Sequence, residues 1–583
     1  MTAEPHSSTF PVTSPDVEAQ STKYGDNSKV PHFWLVLHPD GVTDAVLNYR
    51  YPGEGTAENP YVVDFLPQDA SNPMTYPNWK KWVITALQAW ATLAVAFVST
   101  AYSGGIHEIL VYFKVDTEIG ILGISLFVLG FAIGPLLWAP LSEFYGRQII
   151  FFFTYFALAA FSAGAAGAQN IETLVILRFF AGAFGASPLT NSGGVIADMF
   201  NAQERGLAAG LFAMAPFLGP SIGPIVGGFL GEAEGWRWVE GLMAIFSGAL
   251  WIACAIYVPE TYAPVLLRRR AEKLSKLTGK VYISKMDLAD PRPRSEQVKT
   301  ILLRPWILLF REPIVFLTSI YLAIVYGTLY LLFAAFPIVF QQKRGWSPGI
   351  GGLAFVGVAV GMIFAVMYSG IDNKRRYMPL AAKYPGGLAP PEARLPPAIT
   401  GSILLPVGLF WFAWTNSPSI HWIVPIIASA FFAAGLVSVF LSLLTYMIDS
   451  YTVYAASVLA ANSVLRSLFG AAFPLFTTYM YQDLGIHWAS TIPAFLALAC
   501  TPFPLLFYIY GEKIRQKCKY AAEAARVLEQ WQKKQGEDDG GQKNEEMSQV
   551  RAPGTSSGSA RNLTSSSEDE GTVVVSEEEL KKV

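Results

Sequence analysis

The stretch "GPSIGPIVGG", residues 219–228, combines helix-breaking residues with apolar surroundings. It contains four glycines and two prolines, which in a soluble helix cost about 1 kcal/mol per glycine and about 3 kcal/mol per proline. Apolar sequence nevertheless continues on both sides for the length of a long helix. In a bilayer, small residues allow helix backbones to approach closely, and neighbouring helices satisfy the carbonyl that a proline frees. We therefore interpret this stretch as the tightly packed part of a membrane helix.

The composition of the whole chain also indicates a membrane protein. Of 583 residues, 52% are hydrophobic and 15% are charged, and the mean hydropathy is +0.35, which is too apolar for an ordinary soluble fold. The net charge of −2 provides no basic field for a phosphate backbone, so we expect no nucleic-acid partner. Three cysteines without paired spacing predict no metal, no cofactor and no disulfide framework.

Apolar runs of about 20 residues, long enough to cross a hydrocarbon core of roughly 30 Å, predict about twelve membrane spans. Spans 1 to 6 are expected at Lys81–Tyr102, Glu118–Pro140, Gln148–Ala168, Glu172–Ala197, Arg205–Leu230 and Trp236–Val258. Spans 7 to 12 are expected at Pro313–Phe340, Trp346–Gly370, Leu395–Asn416, Ile420–Ile448, Tyr451–Tyr481 and His487–Tyr510.

Basic residues in the connecting segments predict the orientation. Twelve Lys and Arg residues lie within residues 268–311, and positively charged loops stay in the cytoplasm. An even number of spans then places both termini in the cytoplasm, and we expect the plasma membrane. The predicted domains are a mostly disordered cytoplasmic arm (1–78), a six-helix bundle (79–258), a cytoplasmic loop (259–312), a second six-helix bundle (313–511) and a cytoplasmic tail, disordered and acidic toward its end (512–583).

The central loop divides the spans into two groups of six. This pattern is typical of secondary transporters, in which two bundles meet at a site near the bilayer midplane. Span 4 ends with "VIADMF", which contains Asp198, and span 10 ends with "YMIDSY", which contains Asp449. These equivalent endings reflect either an internal duplication or coincidence. The predicted fold is an all-α integral membrane protein of about twelve transmembrane helices in two six-helix bundles.

Two stretches resemble motifs of a known family. The pattern GxxxGPxxGG is similar to the antiporter motif of the fungal twelve-span drug:proton antiporters, a group of the major facilitator superfamily that includes polyamine and multidrug exporters. The matching residues are Gly219, Gly223, Pro224, Gly227 and Gly228. The loop "APLSEFYGRQ" resembles the superfamily's loop between spans 2 and 3. Its matching residues are Leu141, Glu143, Gly146 and Arg147.

The resemblance covers roughly residues 72–520 and also has departures. Ala139, Phe144 and Gln148 differ from the loop pattern, and Glu143 replaces its Asp, so the charge network attributed to that loop is expected to be thinner here. Span 4 resembles the arginine-containing span of the family, with Arg178 at the arginine implicated in proton coupling. The resemblance therefore implies a major facilitator fold and transport coupled to protons.

Two arginines inside the predicted spans are candidates for function. An arginine in a membrane span costs about 2.5 to 3.5 kcal/mol on insertion scales, so Arg178 and Arg466 should face a cavity or a partner. A structural role, with the guanidinium hydrogen-bonded to helix-end carbonyls, is the alternative for both. We expect both arginines to act in proton coupling or gating.

Proton antiport also needs a group that changes charge, and no predicted span carries Asp, Glu or His near its centre. Glu240 lies one turn inside the edge of span 6. Asp198 and Asp449 are expected to lock the cytoplasmic gate by pairing with Arg147 or with helix ends, the alternative being that they take up the proton. Glu143 belongs to the same gating set. The residue that carries the proton stays unassigned.

Polar and aromatic residues on the central spans are expected to line the substrate site. They are Gln88, Asn191, Tyr326, Tyr330, Phe432, Tyr446 and Asn462. Their rings and amides suit a bulky amphipathic or cationic organic molecule. We predict a monomeric transporter in the lipid bilayer that exports a small organic molecule, such as a drug, polyamine or toxin, in exchange for protons by alternating access.

Other functions fit the sequence less well. Proton-coupled uptake or facilitated diffusion is opposed only by the antiporter motif. An enzyme embedded in the membrane would need convergent acids, histidines or metal ligands at membrane depth, and the six histidines lie at termini, loops and helix edges. We therefore predict that the protein is not an enzyme. No GxxxxGK[ST] loop occurs, which disfavours pumping driven by ATP.

Overall fold

The computed structural model describes residues 30–67, 69–201, 204–289, 294–384 and 389–527. The first 29 residues of the predicted arm and the acidic end of the predicted tail lie outside these ranges. Across the described ranges the chain is mainly helical, with one two-stranded sheet. The predicted all-α membrane fold is therefore confirmed.

Six long apolar helices make up the first half of the molecule. They are span 1 (Asn78–Ala101), span 2 (Thr117–Tyr145), span 3 (Arg147–Ala166), span 4 (Ile171–Met199), span 5 (Arg205–Glu234) and span 6 (Trp236–Tyr257). A 3-10 turn, Tyr102–Gly105, and a short helix, Ile106–Phe113, continue span 1. Gly146 and Gly235 end spans 2 and 5 at φ 98° and 86°. Because glycine adopts such angles without strain, the next span begins at the following residue.

The second half contains another six spans. They are span 7 (Pro313–Phe336), span 8 (Phe355–Asp372), span 9 (Pro396–Thr415), span 10 (Ile423–Ser450), span 11 (455–484) and span 12 (486–517). Short segments accompany spans 7 to 9: Pro337–Lys343, Pro348–Gly352, Asn373–Tyr377, Met378–Ala381 and Pro391–Arg394.

The count of twelve spans depends on one glycine. Within the described residues, eleven continuous segments are long and apolar enough to cross a membrane, and the last, Thr452–Lys517, has 66 residues. At about 1.5 Å per residue, that length is roughly three times the thickness of a bilayer core. Gly485, at φ 73° and ψ 167°, interrupts the segment and divides it into spans 11 and 12. The prediction of about twelve spans is confirmed.

The spans pack mainly within their own half. Span 1 lies along span 5, span 2 along span 4 and span 3 along span 6, while span 7 lies along span 11 and span 9 along span 10. Between the halves, span 2 packs against span 11 and span 5 against span 8. At the end of the molecule away from residues 259–312, which we call the far end, the backbone N–H of Gly349 donates to Glu232 Oε2 at 3.0 Å. The two halves are therefore joined at the far end.

Residues 30–77, where we expected mostly disorder, contain regular elements that associate with the central loop. The arm contributes the helices His32–Leu37, Asp44–Leu47 and Pro73–Thr75 and strand β1 (Tyr61–Val63). The loop contributes the helices Ala263–Thr278, Lys285–Ala289 and Arg294–Arg311 and strand β2 (Tyr282–Ser284). β1 pairs in parallel with β2, so that Tyr61 lies opposite Tyr282. We call this assembly the arm–loop module.

The arm–loop module has its own core and a buried ion pair. Val46 and Val63 of the arm pack with Leu267 and other apolar residues of the loop. The Arg270 guanidinium donates to Asp69 Oδ2 at 2.6 Å, and both side chains are 1% exposed. Burial alone would raise the pKa of Asp69, but the charge and hydrogen bonds of Arg270 hold it below its ordinary value. Residues 30–77 have regular structure because they pack against the central loop, which lies about 200 residues later in the chain. Local sequence does not reveal such distant partners.

Candidate functional site

The three regularly spaced glycines of span 5 face span 1. A Cβ on Gly219 would lie 2.6 Å from the carbonyl oxygen of Leu93, and one on Gly223 would lie 2.8 Å from the backbone nitrogen of Ala101. A Cβ on Gly227 would overlap the carbonyl group of Ala101. Only glycine therefore permits the two helix backbones to approach this closely.

The prolines and the last glycine of the motif have separate contacts. Pro224 has no N–H, so the carbonyl of Pro220 loses its helical donor, and Thr100 Oγ1 of span 1 donates to that carbonyl at 3.1 Å. A Cβ on Gly228 would lie 2.6 Å from the carbonyl oxygen of Pro348, just before span 8. The motif thus joins span 5 both to its own half and to the other half.

A charged network lies beside the central loop in the first half. Arg147, at the start of span 3, pairs with Asp198, at the end of span 4, at 2.6 Å. The guanidinium lies 4.9 Å from the ring centroid of Tyr262. Glu260 accepts hydrogen bonds from the backbone N–H groups of Arg147 at 2.9 Å and Gln148 at 3.3 Å. The loop carboxylate therefore caps span 3, where the helix dipole favours negative charge.

The second half repeats this arrangement. Arg394, just before span 9, pairs with Asp449, at the end of span 10, at 2.8 Å. Its guanidinium lies 3.5 Å from the ring centroid of Tyr377. Both aspartates were predicted as gating residues, but Arg394 was not, because it lies in a short proline-rich connection. Glu143, the other gating candidate, forms no ion pair with a described residue.

Arg178 lies in the interior of the first half and is 1% exposed. Its Nη1 donates to Glu240 Oε1 at 2.8 Å, its Nε to the carbonyl of Gly123 at 2.8 Å and its Nη2 to the carbonyl of Val98 at 3.1 Å. The guanidinium also lies 4.2 Å from the ring centroid of Tyr102. One side chain therefore binds spans 1, 2 and 6 to span 4.

Glu240, near the edge of span 6, had no predicted role. Its side chain is 2% exposed, and Arg178 is its ion-pair partner. Its second carboxylate oxygen, Oε2, is buried without a hydrogen-bond partner among the described residues. A carboxylate bonded at only one oxygen keeps a free position for a proton.

A central cluster forms where the two halves meet, and it consists of Ser99, Tyr326, Tyr330, Phe440 and Arg466. Ser99 of span 1 is 3.0 Å from the Tyr330 hydroxyl of span 7, which contacts the Tyr326 hydroxyl at 3.5 Å. Arg466 of span 11 lies 4.8 Å from the ring centroid of Tyr326 and 5.1 Å from that of Phe440. The structure therefore brings together two predicted lining residues and one predicted arginine.

The other predicted lining residues lie in different surroundings. Gln88 accepts from Ser192 Oγ at 2.8 Å, and Asn191 accepts from Ser142 Oγ at 3.0 Å, both within the first half. The backbone of Phe432 lies against span 9, and the Tyr446 ring stacks on Phe507 of span 12 at 5.9 Å. Asn462 is 1% exposed, one turn before Arg466 on span 11.

The chain has two similar halves, and each half has an Arg–Asp pair at equivalent helix ends. Comparison with known families agrees with this arrangement. A family model described as Major Facilitator Superfamily matches residues 88–474. This chain belongs to the major facilitator superfamily. The solved structure of the proton:xylose symporter XylE, a protein of the same superfamily, shares the fold with a TM-score of 0.54 at 17% identity, covering 75% of this chain and 96% of that one.

Close relatives of this major facilitator protein are fungal. The MFS-type efflux pump MFS2 of Trichophyton rubrum is 65% identical over 510 residues, which cover 87% of this chain and 85% of the relative. The multidrug transporter mdrA of Aspergillus fumigatus is 63% identical over 510 residues, covering 87% and 84%. The efflux pump FUB11 of Gibberella moniliformis is 59% identical over 490 residues, covering 84% and 82%. The predicted family is confirmed.

Proposed function

We propose that this major facilitator transporter exports small organic molecules from the cytosol in exchange for protons. The direction of transport is supported by relatives that are named efflux pumps and multidrug transporters and are 59 to 65% identical. Proton coupling rests on one observation, the buried Arg178–Glu240 pair with its open carboxylate oxygen. The protein acts as a transporter and not as an enzyme.

The orientation follows from charge. The basic central loop lies in the cytoplasm, so both termini are cytoplasmic and the far end faces outward. The joined far end then corresponds to a conformation closed toward the outside. We place the protein in the plasma membrane. We propose that it acts as a monomer, because each chain contains both halves of an alternating-access unit.

Glu240 carries the proton in this proposal. A proton bound at Oε2 neutralises the carboxylate and leaves the charge of Arg178 without its counter-ion. The strength of the contacts that join span 4 to spans 1, 2 and 6 therefore changes, because Arg178 of span 4 donates to all three. Arg178 and Tyr102 are the charged and titratable described groups that face Glu240. Release of the proton restores the ion pair and resets the first half.

The Arg147–Asp198 and Arg394–Asp449 pairs have a different task. Each pair lies within one half, so it cannot latch the two halves together. We assign these pairs to holding the helix ends of each bundle in register while the bundles rock. The glycine face between spans 1 and 5 also lies within one half, and we assign it to keeping that helix pair rigid.

The test is proton flux in proteoliposomes under an imposed pH gradient, with a panel of polyamines, lipophilic cations, organic acids and fungal toxins. We expect at least one compound to move protons opposite to its own movement. Glu240→Gln should abolish this flux yet retain exchange of labelled for unlabelled substrate, while the exposed Glu172→Gln serves as the matched control. Proton movement in the same direction as the substrate would establish symport instead of antiport, and substrate movement without protons would establish a uniporter.

A further inference from the structure

Arg466 is a charged group in the middle of the protein whose counter-ion is missing. It lies near the middle of span 11, and within the described residues it forms no ion pair. Its hydrogen bond to Ser463 Oγ is long, at 3.4 Å. Its Nε is buried and has no partner among the described residues. Aromatic rings attract a guanidinium but do not neutralise its charge.

A second unpaired donor lies on the same side of the helix. Asn462 precedes Arg466 by four residues, and side chains at that spacing are neighbours on a helix surface. Asn462 is 1% exposed, and its Nδ2 has no hydrogen-bond partner in the described chain. Arg466 and Asn462 therefore both offer N–H donors without an acceptor among the described residues, and the neighbouring Ser467 hydroxyl is also unpartnered. An acceptor with negative charge would satisfy the two N–H donors together.

The surroundings of these donors fit an organic ligand. Arg466 lies beside the rings of Tyr326 and Phe440, and the Phe440 ring packs against Phe217 of the other half at a centroid distance of 5.0 Å. Arg466 and Tyr326 keep partial exposure although both belong to the interior cluster. The site therefore lies next to the contact between the two halves, where alternating access requires a substrate to bind.

We infer that Arg466 and Asn462 bind the carboxylate of an acidic substrate whose aromatic or apolar body lies against Tyr326 and Phe440. This inference rests on the proposed function and names its substrate class. A guanidinium binds a carboxylate through paired hydrogen bonds, and a substrate anion supplies the counter-ion that the chain lacks. A cationic substrate, which the aromatic residues alone suggested, would instead be repelled by Arg466.

The test is equilibrium binding to the purified full-length protein in nanodiscs, measured by calorimetry without a proton gradient. Three organic probes present the same rings with different groups: 1-naphthoate has an acid, 1-naphthylmethylamine a cation and 1-naphthylmethanol a neutral group. Sodium chloride is the fourth probe and supplies an inorganic anion. We expect 1-naphthoate to bind about tenfold or more tightly than the other two organic probes. Arg466→Gln should remove this preference, Arg466→Lys should retain part of it and the exposed Arg375→Gln should leave it unchanged.

Two results would overturn the inference. Equal or tighter binding of the amine would show that Arg466 does not select an acid. Saturation by chloride with no preference among the organic probes would show a site for inorganic anions only. Thermal unfolding of each variant separates loss of binding from loss of folding. Because binding is measured at equilibrium, an acid preference without proton flux would contradict only the proposed coupling.

Discussion

The two interior arginines of the protein differ in how their charges are satisfied. Arg178 binds a carboxylate, two backbone carbonyls and an aromatic ring, all within the first half. Arg466 lies between two rings and has one long hydrogen bond to a serine. The first half therefore contains its own counter-ion, whereas the second half leaves that position open. On our proposals, the first half binds the proton and the second half binds the substrate.

The largest expected effect on stability comes from removing Arg178, whose charge is paired with Glu240. Arg178→Leu leaves Glu240 as a buried carboxylate without a counter-ion, and we expect a loss of about 3–5 kcal/mol in the free energy of unfolding. Denaturation of the purified protein in detergent measures this loss. The double variant Arg178→Leu/Glu240→Leu should recover most of the stability but no proton flux. Equal stability of the single and double variants would show that the pair is not coupled.

The same substitution at Arg466 should not lower the stability of the protein. Arg466→Leu removes a charge that has no counter-ion in the chain, so we expect the unfolding temperature to stay the same or to rise. Thermal unfolding without substrate measures this effect. A loss as large as that of Arg178→Leu would contradict the comparison, since it would reveal an internal partner for Arg466.

A smaller effect is expected from the glycine face, which lies close to the Arg178 site. Gly223→Ala forces its methyl group against the backbone of span 1, and overpacking of this kind costs about 1–3 kcal/mol. Span 1 also supplies the Val98 carbonyl to Arg178, so proton flux should fall while binding of 1-naphthoate persists. Gly241→Ala is the matched control, because a Cβ there meets nothing within 4 Å.

The smallest effect concerns a third satisfied arginine, Arg270, outside the membrane. The pKa of Asp69 is held below its ordinary value of 3.8, so the Asp69–Arg270 pair stabilises the arm–loop module above that pH. This contribution is lost as the pH falls through the lower, folded-state pKa. The protection of β1 amides against hydrogen exchange, relative to the intrinsic exchange rate at each pH, should therefore fall below pH 3.8 in the native protein. In Asp69→Asn that pH dependence should be absent, and its persistence would assign it to another group.

Local sequence was sufficient to predict the spans and the two arginines inside them. Length and hydropathy define a membrane helix within one continuous run, and a charge inside such a run stands out at once. The glycines of span 5 were predicted to form a packing face for the same reason, since their spacing of four residues is local. In the structure this face contacts span 1.

Pairings between distant segments could not be predicted. Glu240 resembled an ordinary residue at a helix edge, because its partner Arg178 lies 62 residues earlier and on another span. Arg394 lies in a connection without periodicity, and only the fold brings it to Asp449. The arm looked disordered because β1 is three residues long and its partner strand is distant. Each of these features depends on tertiary contacts that no single run of sequence contains.

The parallel pairing of β1 with β2 has a consequence for the order of synthesis. β1 emerges from the ribosome before any span, but its partner follows more than 200 residues later, after span 6. At about 5–20 residues per second, translation needs roughly 10–45 s to reach β2. During that interval β1 has an unpaired edge, while spans 1 to 6 enter the bilayer. Closure of the arm–loop module therefore marks the completion of the first half.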